Sequence, residues 1–391
     1  MRVNNELQNN KIFMFSSVHV WSDTRIFFKE AITLANNGFI VDFHAIEGTT
    51  FYDRSHSNLC VSTLSQRENK KSARPKRWYQ LYKKALASDA CYYHFHDFEL
   101  LFLATMIKKR KPNCFIIYDM HENFPAMIKT KEWIPKFFRQ PLSKILAHLE
   151  KKWMARVDAV IFAETSYKKQ YEEVNVYKCD ILNLPVWQNP LITKKRESFT
   201  YVYVGDLVKD RGVFEMLKLI KNLKTRGHKN VYLKLIGPMN ASIKAEVFDF
   251  IVANELVDMV KMYGRIPYTE IWKHYASAHV GLCLLHPIPN YMHSLATKLF
   301  EYMAAGLPIL ATNIPDWKKL IEETGTGLTT NVCDVQDITN QAEKMMLSHA
   351  LRESFSDNGR KAFNSRYNWQ TEEKKLVSLY LTLPLYKEKD I

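Results

Sequence analysis

The chain has 391 residues, of which 47% are hydrophobic and 25% are charged, and this composition is typical of a globular protein long enough for two domains. No apolar run approaches the roughly 20 residues of a membrane-spanning helix, and residues 1–11 lack the apolar stretch of a secretory signal. The net charge of +14 predicts an anionic partner, such as nucleic acid, acidic lipid or a phosphorylated substrate. The six cysteines form no C-x-x-C pair, which argues against zinc ligation and favours reduced thiols and a cytoplasmic protein.

The first predicted elements form a βαβ unit. The apolar run at residues 11–17 predicts a strand, Asp23 can cap the helix that follows, and Gly38 can end this helix before a second strand at residues 40–45. Asp23 is therefore most simply a helix cap. A function of Asp23 and Arg25 on the acceptor side of a site remains open.

Two polar clusters follow predicted strands further along the first half. His96 and Asp97 end one strand, and Asp119, His121 and Glu122 end the next. In an open α/β sheet the carboxyl ends of the strands face the ligand crevice, so a functional site is expected at this edge. Polar strand ends also serve as caps and turns. Both interpretations stay open for His96, whereas for His121 we favour a functional role.

Asp97-Phe98-Glu99 superficially resembles a D-x-D metal motif. Side chains at this spacing on a helix would diverge, so we interpret Asp97 as a cap or an acceptor contact. We predict no bound metal ion.

Residues 133–153 interleave aromatic and basic side chains. Such a surface can lie on an anionic membrane or follow single-stranded nucleic acid, and the same pattern fits an ordinary amphipathic helix that is buried on one side. The sequence leaves all three possibilities open.

A polar stretch bracketed by Pro185 and Pro190 predicts a linker. Strands and helices alternate on both sides of it, which predicts an α/β protein with two doubly wound domains. The predicted boundaries are an N-terminal Rossmann-like domain at 1–185, a linker at 186–198, a second Rossmann-like domain at 199–370 and a C-terminal helix at 371–391.

The second half begins with a predicted strand and a loop suited to an anion. Gly205 permits a sharp exit from the strand at residues 200–204, and Arg211 and Gly212 open the next helix. Two further strands end at Gly237 and at the loop that contains Arg265 and Ile266.

The stretch His293–Pro308 predicts a helix that holds a nucleotide. Ser294 or Thr297 can cap its start, which places the positive end of the helix dipole beside Lys298. Glu301 lies three residues later, near the same face. A cation suits a phosphate, and a carboxylate can accept both hydroxyls of a ribose.

The segment T-K-L-F-E-Y-M-A-A-G-L-P at residues 297–308 resembles the donor-site motif of glycosyltransferase family 4, the retaining nucleotide-sugar enzymes of the GT-B fold. The family pattern has two glutamates separated by seven residues, and Glu301 matches the second while His293 stands at the first. In the loop after Gly205 the family has two cations that contact the donor diphosphate. Arg211 takes the second place, and Asp206 reverses the charge of the first.

The segment Y-D-M-H-E-N-F-P at residues 118–125 resembles the matching segment of the bacterial surface-polysaccharide glycosyltransferases of this family. The resemblance implies that His121 lies near the transferred sugar, in a cleft between two facing domains. It also implies that the loop at residues 264–267 holds the base with its backbone. In this fold the terminal helix often crosses back to the first domain.

The resemblance implies a metal-independent, retaining hexosyl- or N-acetylhexosaminyltransferase without a cofactor. Its donor would be a nucleoside diphosphate sugar, most simply a UDP-sugar, and its acceptor a glycan or a polyprenyl-linked sugar in bacterial surface polysaccharide synthesis. The anionic inner face of the cell membrane would then be a peripheral contact. The implied site has catalytic residues His121, Lys298, Arg211 and His293, donor contacts Gly205, Gly212, Gly237, Arg265, Ile266, Thr297 and Glu301, and acceptor-side residues Asp23, Arg25, His96, Asp97 and Glu122.

Two other classes of protein remain open. One is a GT-B nucleotide-sugar epimerase or hydrolase that needs no acceptor, and the other is a non-catalytic subunit of a glycan-assembly complex, because Asp206 and His293 replace expected donor residues. No nucleic-acid recognition motif accompanies the positive charge, so we predict no nucleic-acid partner.

Overall fold

A computed structural model describes residues 10–387 apart from 49–55, 65–72, 130, 132–133, 187–197, 290 and 293. The chain divides into two compact units, one formed by Met1–Asn183 with Gln370–Ile391 and the other by Leu184–Trp369. Most of the predicted linker at 186–198, as well as His293, lies outside the described residues.

The first unit contains a parallel sheet of seven strands. Their order in the sheet is β3-β2-β1-β4-β5-β6-β7. Because the order reverses between β1 and β4, this sheet is doubly wound, and ligands of such sheets bind beyond the carboxyl ends of the strands near this switch. The strands are β1 Lys11–Val20, β2 Ile40–Ile46, β3 Leu59–Leu64, β4 Tyr92–Phe95, β5 Phe115–Met120, β6 Ala159–Phe162 and β7 Tyr177–Asp180.

Helices connect these strands. The first begins as a π-helix, Ile26–Ala31, and continues as the α-helix α1, Ile32–Asn36. Asp23 precedes it and accepts hydrogen bonds from the backbone amides of Arg25 (2.9 Å) and Ile26 (3.1 Å), as expected for a cap. The other helices of this part are α2 Arg74–Ala87, α3 Leu101–Arg110, α4 Phe124–Ile128, α5 Lys136–Met154 and α6 Thr165–Lys168.

The second unit contains a parallel sheet of six strands in the order β10-β9-β8-β11-β12-β13. Its strands are β8 Phe199–Val204, β9 Val231–Ile236, β10 Val260–Met262, β11 Val280–Cys283, β12 Ile309–Thr312 and β13 Gly327–Thr330. All residues of β11 and β12 are buried, which explains why these strands are continuous apolar runs and not alternating ones.

Seven helices follow strands of the second unit or one another. They are α7 Val213–Thr225, α8 Ala241–Ala253, α9 Tyr268–Ala276, α10 Thr297–Ala305, α11 Pro315–Thr324, α12 Val335–Leu347 and α13 His349–Ser365. The switch in strand order lies between β8 and β11, so the loops after these strands are where a ligand is expected.

The C-terminal helix, α14 Trp369–Lys387, packs on the first unit. The Tyr380 hydroxyl lies 2.8 Å from His94 Nδ1, and the Tyr92 hydroxyl donates to the Tyr380 carbonyl at 3.0 Å. The Leu182 amide also donates to Glu372 Oε2 at 2.8 Å. Helix α14 is therefore part of the core of the first unit.

None of the helices in the described part of the chain combines the length and the apolar character that crossing a membrane requires.

Candidate functional site

The two predicted phosphate-binding cations of the second unit meet around Gly205, directly after β8. Gly205 has φ +144°, and a Cβ atom built on it would lie 3.3 Å from Lys298 Nζ and 3.4 Å from Arg211 Nη1. Any larger side chain here would fill the space between the cations, so glycine keeps this space open. Lys298 and Arg211 are 87 positions apart in the sequence, but both place their charged groups beside Gly205.

Lys298 is enclosed and has no ionic partner among the residues that the structure describes. Its residue is 8% exposed, and Nζ lies 4.5 Å from the centre of the Tyr203 ring and 3.4 Å from its hydroxyl. Within the described ranges, no carboxylate oxygen lies within the 4.0 Å of an ion pair. An enclosed ammonium without a counter-charge attracts an anion.

Arg211 is partly neutralised by Asp206, the residue that replaces a family cation. Arg211 Nη1 lies 3.7 Å from Asp206 Oδ2, and its Nε donates to the Tyr291 hydroxyl at 3.3 Å. The guanidinium is about 29% exposed, so it remains accessible to a ligand. Lys209, the other nearby cation, pairs instead with Glu246 at 2.7 Å.

Both helices that follow these loops begin without a side-chain cap. Gly212 precedes α7 with φ +74°, and a Cβ there would lie 2.0 Å from the Leu284 carbonyl oxygen, so only glycine fits. For α10 the residue before the helix is Ala296. The prediction that Ser294 or Thr297 caps this helix was therefore wrong, because Thr297 is already its first helical residue. Amides at an uncapped helix start can donate to an anion.

Glu301 is more enclosed than its predicted contact with a ribose suggests. Its residue is 8% exposed, and Oε2 accepts a hydrogen bond from the Tyr275 hydroxyl at 2.8 Å. Burial and the nearby Glu301 carboxylate also raise the pKa of Tyr268 well above its usual value. Part of the acceptor capacity of Glu301 is thus used inside the protein, and its contact with a ribose stays a prediction.

The remaining predicted donor contacts lie on neighbouring strand ends. The Gly237 amide donates to the Gly264 carbonyl at 2.8 Å, and a Cβ on Gly237 would lie 1.9 Å from the Gly205 carbonyl oxygen. The backbones after β8, β9 and β10 are therefore in close contact. Arg265 is exposed and Ile266 is half-buried in the loop that follows.

In the first unit, Asp119 joins three of its neighbours into a buried ionic network. Arg25 donates to both of its carboxylate oxygens, from Nε at 2.9 Å and from Nη2 at 2.8 Å. His121 Nε2 lies 2.5 Å and His96 Nδ1 3.2 Å from Asp119 Oδ2. Burial opposes ionisation, but Arg25 and His121 hold the pKa of Asp119 well below its usual range.

This network changes the interpretation of two predicted acceptor-side residues. Arg25 is 2% and His96 3% exposed, so protein groups and not solvent surround them. Asp119 belonged to the polar cluster predicted at the end of β5, but it was assigned no role among the predicted site residues.

Asp97 holds the C-terminal half of β1. Its Oδ2 accepts hydrogen bonds from the Ser17 amide at 2.5 Å and from the hydroxyls of Ser16 (2.9 Å) and Ser17 (3.1 Å). Glu99 accepts from Trp78 Nε1 at 2.9 Å. Asp97 stands at the N-cap position of the helical turn Phe98–Leu100, but its side chain makes no capping hydrogen bond there. The predicted cap role is therefore wrong, and its acceptor contact stays a prediction.

His19 is a site residue that the sequence did not indicate. Its Nδ1 lies 3.4 Å from Asp23 Oδ2, and its Nε2 lies 3.5 Å from Asp97 Oδ1. Burial opposes its positive charge, yet Asp23 and Asp97 raise the pKa of His19 to about 9. Together with the exposed Glu122 and the half-buried His121, it lies where a polar ligand could reach.

Helix α5 presents the aromatic and basic surface that the sequence predicted. Phe137 is 72%, Phe138 56% and Ile145 57% exposed, and the two phenylalanine rings lie 4.2 Å apart. Lys136 and Lys144 are exposed on the same helix. Trp133, at the start of the predicted stretch, lies outside the described residues.

Two doubly wound parallel sheets, each covered by helices, are the architecture of the GT-B fold, and the predicted fold class is confirmed. Sucrose-phosphate synthase from Thermosynechococcus elongatus has a similar structure, with a TM-score of 0.74 and 15% identity over 97% of this chain and 100% of that chain. HepE from Anabaena, solved in complex with UDP and glucose, gives a TM-score of 0.72 at 12% identity, covering 96% and 100% of the two chains. At such identities the likeness concerns the fold alone.

Residues 189–362 match the family model described as "Glycosyl transferases group 1". A similar curated protein is the capsular polysaccharide biosynthesis glycosyltransferase CapM from Staphylococcus aureus, with 26% identity over 188 residues, 48% of this chain and 47% of CapM. Another is the putative colanic acid biosynthesis glycosyltransferase WcaL from Salmonella typhimurium, with 24% identity over 46% of this chain and 45% of WcaL. The chain thus matches about half the length of these relatives.

Proposed function

We propose that this chain is a retaining glycosyltransferase that moves a hexosyl or N-acetylhexosaminyl group from a nucleoside diphosphate sugar. The observation that carries the proposal is the meeting of Lys298 and Arg211 around Gly205, with Lys298 enclosed and no carboxylate partner for it in the described part of the chain. The match of residues 189–362 to group 1 glycosyltransferases supports it. UDP is the proposed nucleotide, since HepE, of similar fold, was solved with UDP and glucose.

In the proposed reaction the protein stabilises the departing diphosphate. Lys298 and Arg211 would neutralise the charge that develops on its oxygens, and the uncapped starts of α7 and α10 would donate backbone hydrogen bonds. Positive side chains and amides can supply this stabilisation by themselves, so we propose that the transfer needs no metal ion and no cofactor.

The proposed sugar side consists of His121 and His293. The carboxylate of Asp119, 2.5 Å away, would fix the orientation of the His121 ring, and Arg25 in turn holds Asp119. Because Arg25, His96 and Asp97 are buried among protein partners, we assign acceptor contacts to the more accessible Glu122 and Asp23 only.

A thermal-shift screen tests the donor site directly. The full-length protein is heated with UDP, GDP, ADP and their common sugar derivatives, with the matched nucleosides as controls that lack phosphate. A ligand at about 100 times its dissociation constant is expected to stabilise the protein by about 2.7 kcal/mol. Stabilisation by a diphosphate but not by its nucleoside supports the proposal, and equal responses to both would contradict it.

The proposed acceptor is a glycan or a polyprenyl-linked sugar in bacterial surface polysaccharide synthesis, as for CapM and WcaL, whose names place them in such pathways. The exposed Phe137 and Phe138 beside Lys136 and Lys144 would bring the enzyme to the anionic inner face of the membrane.

Liposome flotation tests the membrane contact. Phe137→Ser with Phe138→Ser is expected to reduce flotation with anionic vesicles, whereas Phe248→Ser, at a 57% exposed phenylalanine of the second unit, is the matched control. Equal flotation with anionic and neutral vesicles would contradict an electrostatic contribution.

A non-catalytic subunit of a glycan-assembly complex is the second candidate. Asp206 neutralises part of Arg211, and Tyr275 occupies an oxygen of Glu301, so two donor contacts are weaker than in the family pattern. Calorimetry separates the candidates, because a non-catalytic subunit would bind no nucleoside diphosphate sugar.

A further inference from the structure

Four side chains of metal-ligating types meet in the core of the first unit. Glu30 comes from the π-helical segment, His94 from β4, His96 from the residue after β4, and Asp119 from β5. Each side chain is completely buried. Nothing in the proposed transfer uses Glu30 or His94.

The four groups are spaced as the ligands of one metal ion would be. Glu30 Oε2 lies 3.7 Å from His96 Nδ1 and 3.9 Å from His94 Nε2, and His96 Nδ1 lies 3.2 Å from Asp119 Oδ2. One ligand atom from each of the four falls within 4.8 Å of all the others. Tetrahedral zinc with bonds of about 2.0–2.1 Å places its ligand atoms about 3.4 Å apart, so a small contraction would complete the site.

Two buried atoms that face each other inside the cluster have no hydrogen-bond partner. Among the described residues, these are Glu30 Oε2 and His94 Nε2, which lie 3.9 Å apart. Buried polar atoms without a partner are rare in folded proteins, and a bound ion is one way to satisfy them.

Tyr380 of α14 fixes the orientation of the His94 ring through the ring nitrogen that faces away from Glu30. Its hydroxyl lies 2.8 Å from His94 Nδ1. When Nδ1 carries the proton and donates it to this hydroxyl, Nε2 presents its lone pair to Glu30. A second-shell hydrogen bond to the far nitrogen is the usual support of a metal-binding histidine.

Arg25 holds both carboxylates of the cluster in place. Its Nε lies 2.9 Å from Glu30 Oε1, and its Nη2 lies 2.8 Å from Asp119 Oδ1. Glu30 Oε2 lies 3.7 Å and Asp119 Oδ2 lies 3.2 Å from His96 Nδ1. One ion could therefore contact all four side chains.

We propose that Glu30, His94, His96 and Asp119 form a buried structural site for a divalent transition-metal ion, with Zn²⁺ as the ion that best suits two imidazoles and two carboxylates. The ion would tie the π-helical segment to β4 and β5. This proposal departs from the prediction, made from the sequence, that the chain binds no metal ion. None of the four residues belongs to the proposed donor contacts, and the inference does not depend on the proposed transfer of a sugar.

Metal analysis of the full-length protein, prepared without a histidine tag, tests the site. After removal of metal with a chelator, the protein is loaded with Zn²⁺ and passed over a desalting column, and one ion per chain is expected by plasma mass spectrometry. Loading with Co²⁺ should give the intense visible absorption of tetrahedral cobalt. Because this spectrum is recorded on the wild-type protein, it does not depend on whether a variant folds.

Two variants locate the ion. His94→Gln is expected to abolish retention of Zn²⁺, and Tyr380→Phe, which keeps the ring but removes the hydroxyl behind His94, should weaken binding about 10-fold or more. His349→Gln removes an exposed histidine of the second unit and is the matched control, with unchanged retention. Absence of retained metal and of a cobalt spectrum in the wild-type protein would overturn the proposal, as would a His94→Gln variant that retains Zn²⁺ like the wild type.

Discussion

The sharpest consequence of the structure concerns Lys298, and the change that isolates it is Lys298→Met. Methionine keeps an unbranched chain that can pack on the Tyr203 ring, 4.5 Å from the ammonium in the wild type, and removes only the charge. Lys298 is 8% exposed as a residue, and its ammonium has no carboxylate within ion-pair distance in the described part of the chain, so its charge is available to a ligand.

The expected loss in turnover follows from this environment. A preorganised, enclosed charge that contacts a departing diphosphate contributes about 3 kcal/mol to the transition state, so Lys298→Met should lower kcat/KM by about 10²-fold. Folding should change little, because the lost contact between the cation and the ring, about 1 kcal/mol, is offset by relief of the desolvation of the charge.

The assay combines turnover with stability. Release of the nucleoside diphosphate is followed with the donor that gives the largest thermal shift, and urea unfolding is measured in parallel. Lys318→Met is the matched control, since Lys318 lies on α11 of the same unit, is 53% exposed and faces Glu322 at 3.8 Å. Turnover by Lys298→Met within about twofold of the control would refute the role of Lys298 in the transfer.

Three further changes are expected to give measurable effects. Burial raises the pKa of Glu150 to about 7, so the contribution of this group to stability should fall by up to about 3 kcal/mol as the pH rises from 4.5 through 7. Glu150→Gln should remove this contribution, so its loss of stability between urea titrations at pH 5 and pH 8 should be smaller than that of the wild type. Gly237→Ala should destabilise the protein by about 2 kcal/mol or more in the same titrations, because its Cβ would lie 1.9 Å from the Gly205 carbonyl oxygen. Gly227→Ala is the control, because Gly227 also has a positive φ but open space around it, so this variant should show only the cost of the backbone strain. Arg211→Lys should weaken binding of a nucleoside diphosphate by about 10-fold in calorimetry, because a single ammonium cannot reproduce the fork of the guanidinium; unchanged affinity would remove Arg211 from the donor site.

Local patterns in the sequence were enough to predict the α/β class and many of the elements. Continuous apolar runs became buried parallel strands such as β11 and β12, because both faces of such strands are covered by helices. Asp23 was recognised as a cap from its place before an apolar helix, and it does accept hydrogen bonds from the next helical amides. The N-cap of α10 was predicted wrongly, because several residues near its start can cap equally well and only the backbone dihedrals select among them.

Residue types at strand ends indicated where the polar groups collect, but not which groups they contact. Asp97 was open to two roles, and its actual partners, Ser16 and Ser17, lie about 80 positions earlier in the chain. Glu301 was expected to face a ribose, yet Tyr275 of the preceding helix donates to it. No periodicity or motif encodes such pairings, because they arise when helices pack on a sheet.

The order of residues along the chain therefore accounts for the individual strands and helices, the glycines after the strands and the cations near the helix starts, since each depends on interactions within a few residues. The meeting of Lys298 with Arg211, and the enclosure of Glu30, His94 and Asp119, depend on contacts between segments far apart in sequence. The charge state and the chemistry of these groups depend on their burial and on the groups they contact. Both are established only after the chain has folded.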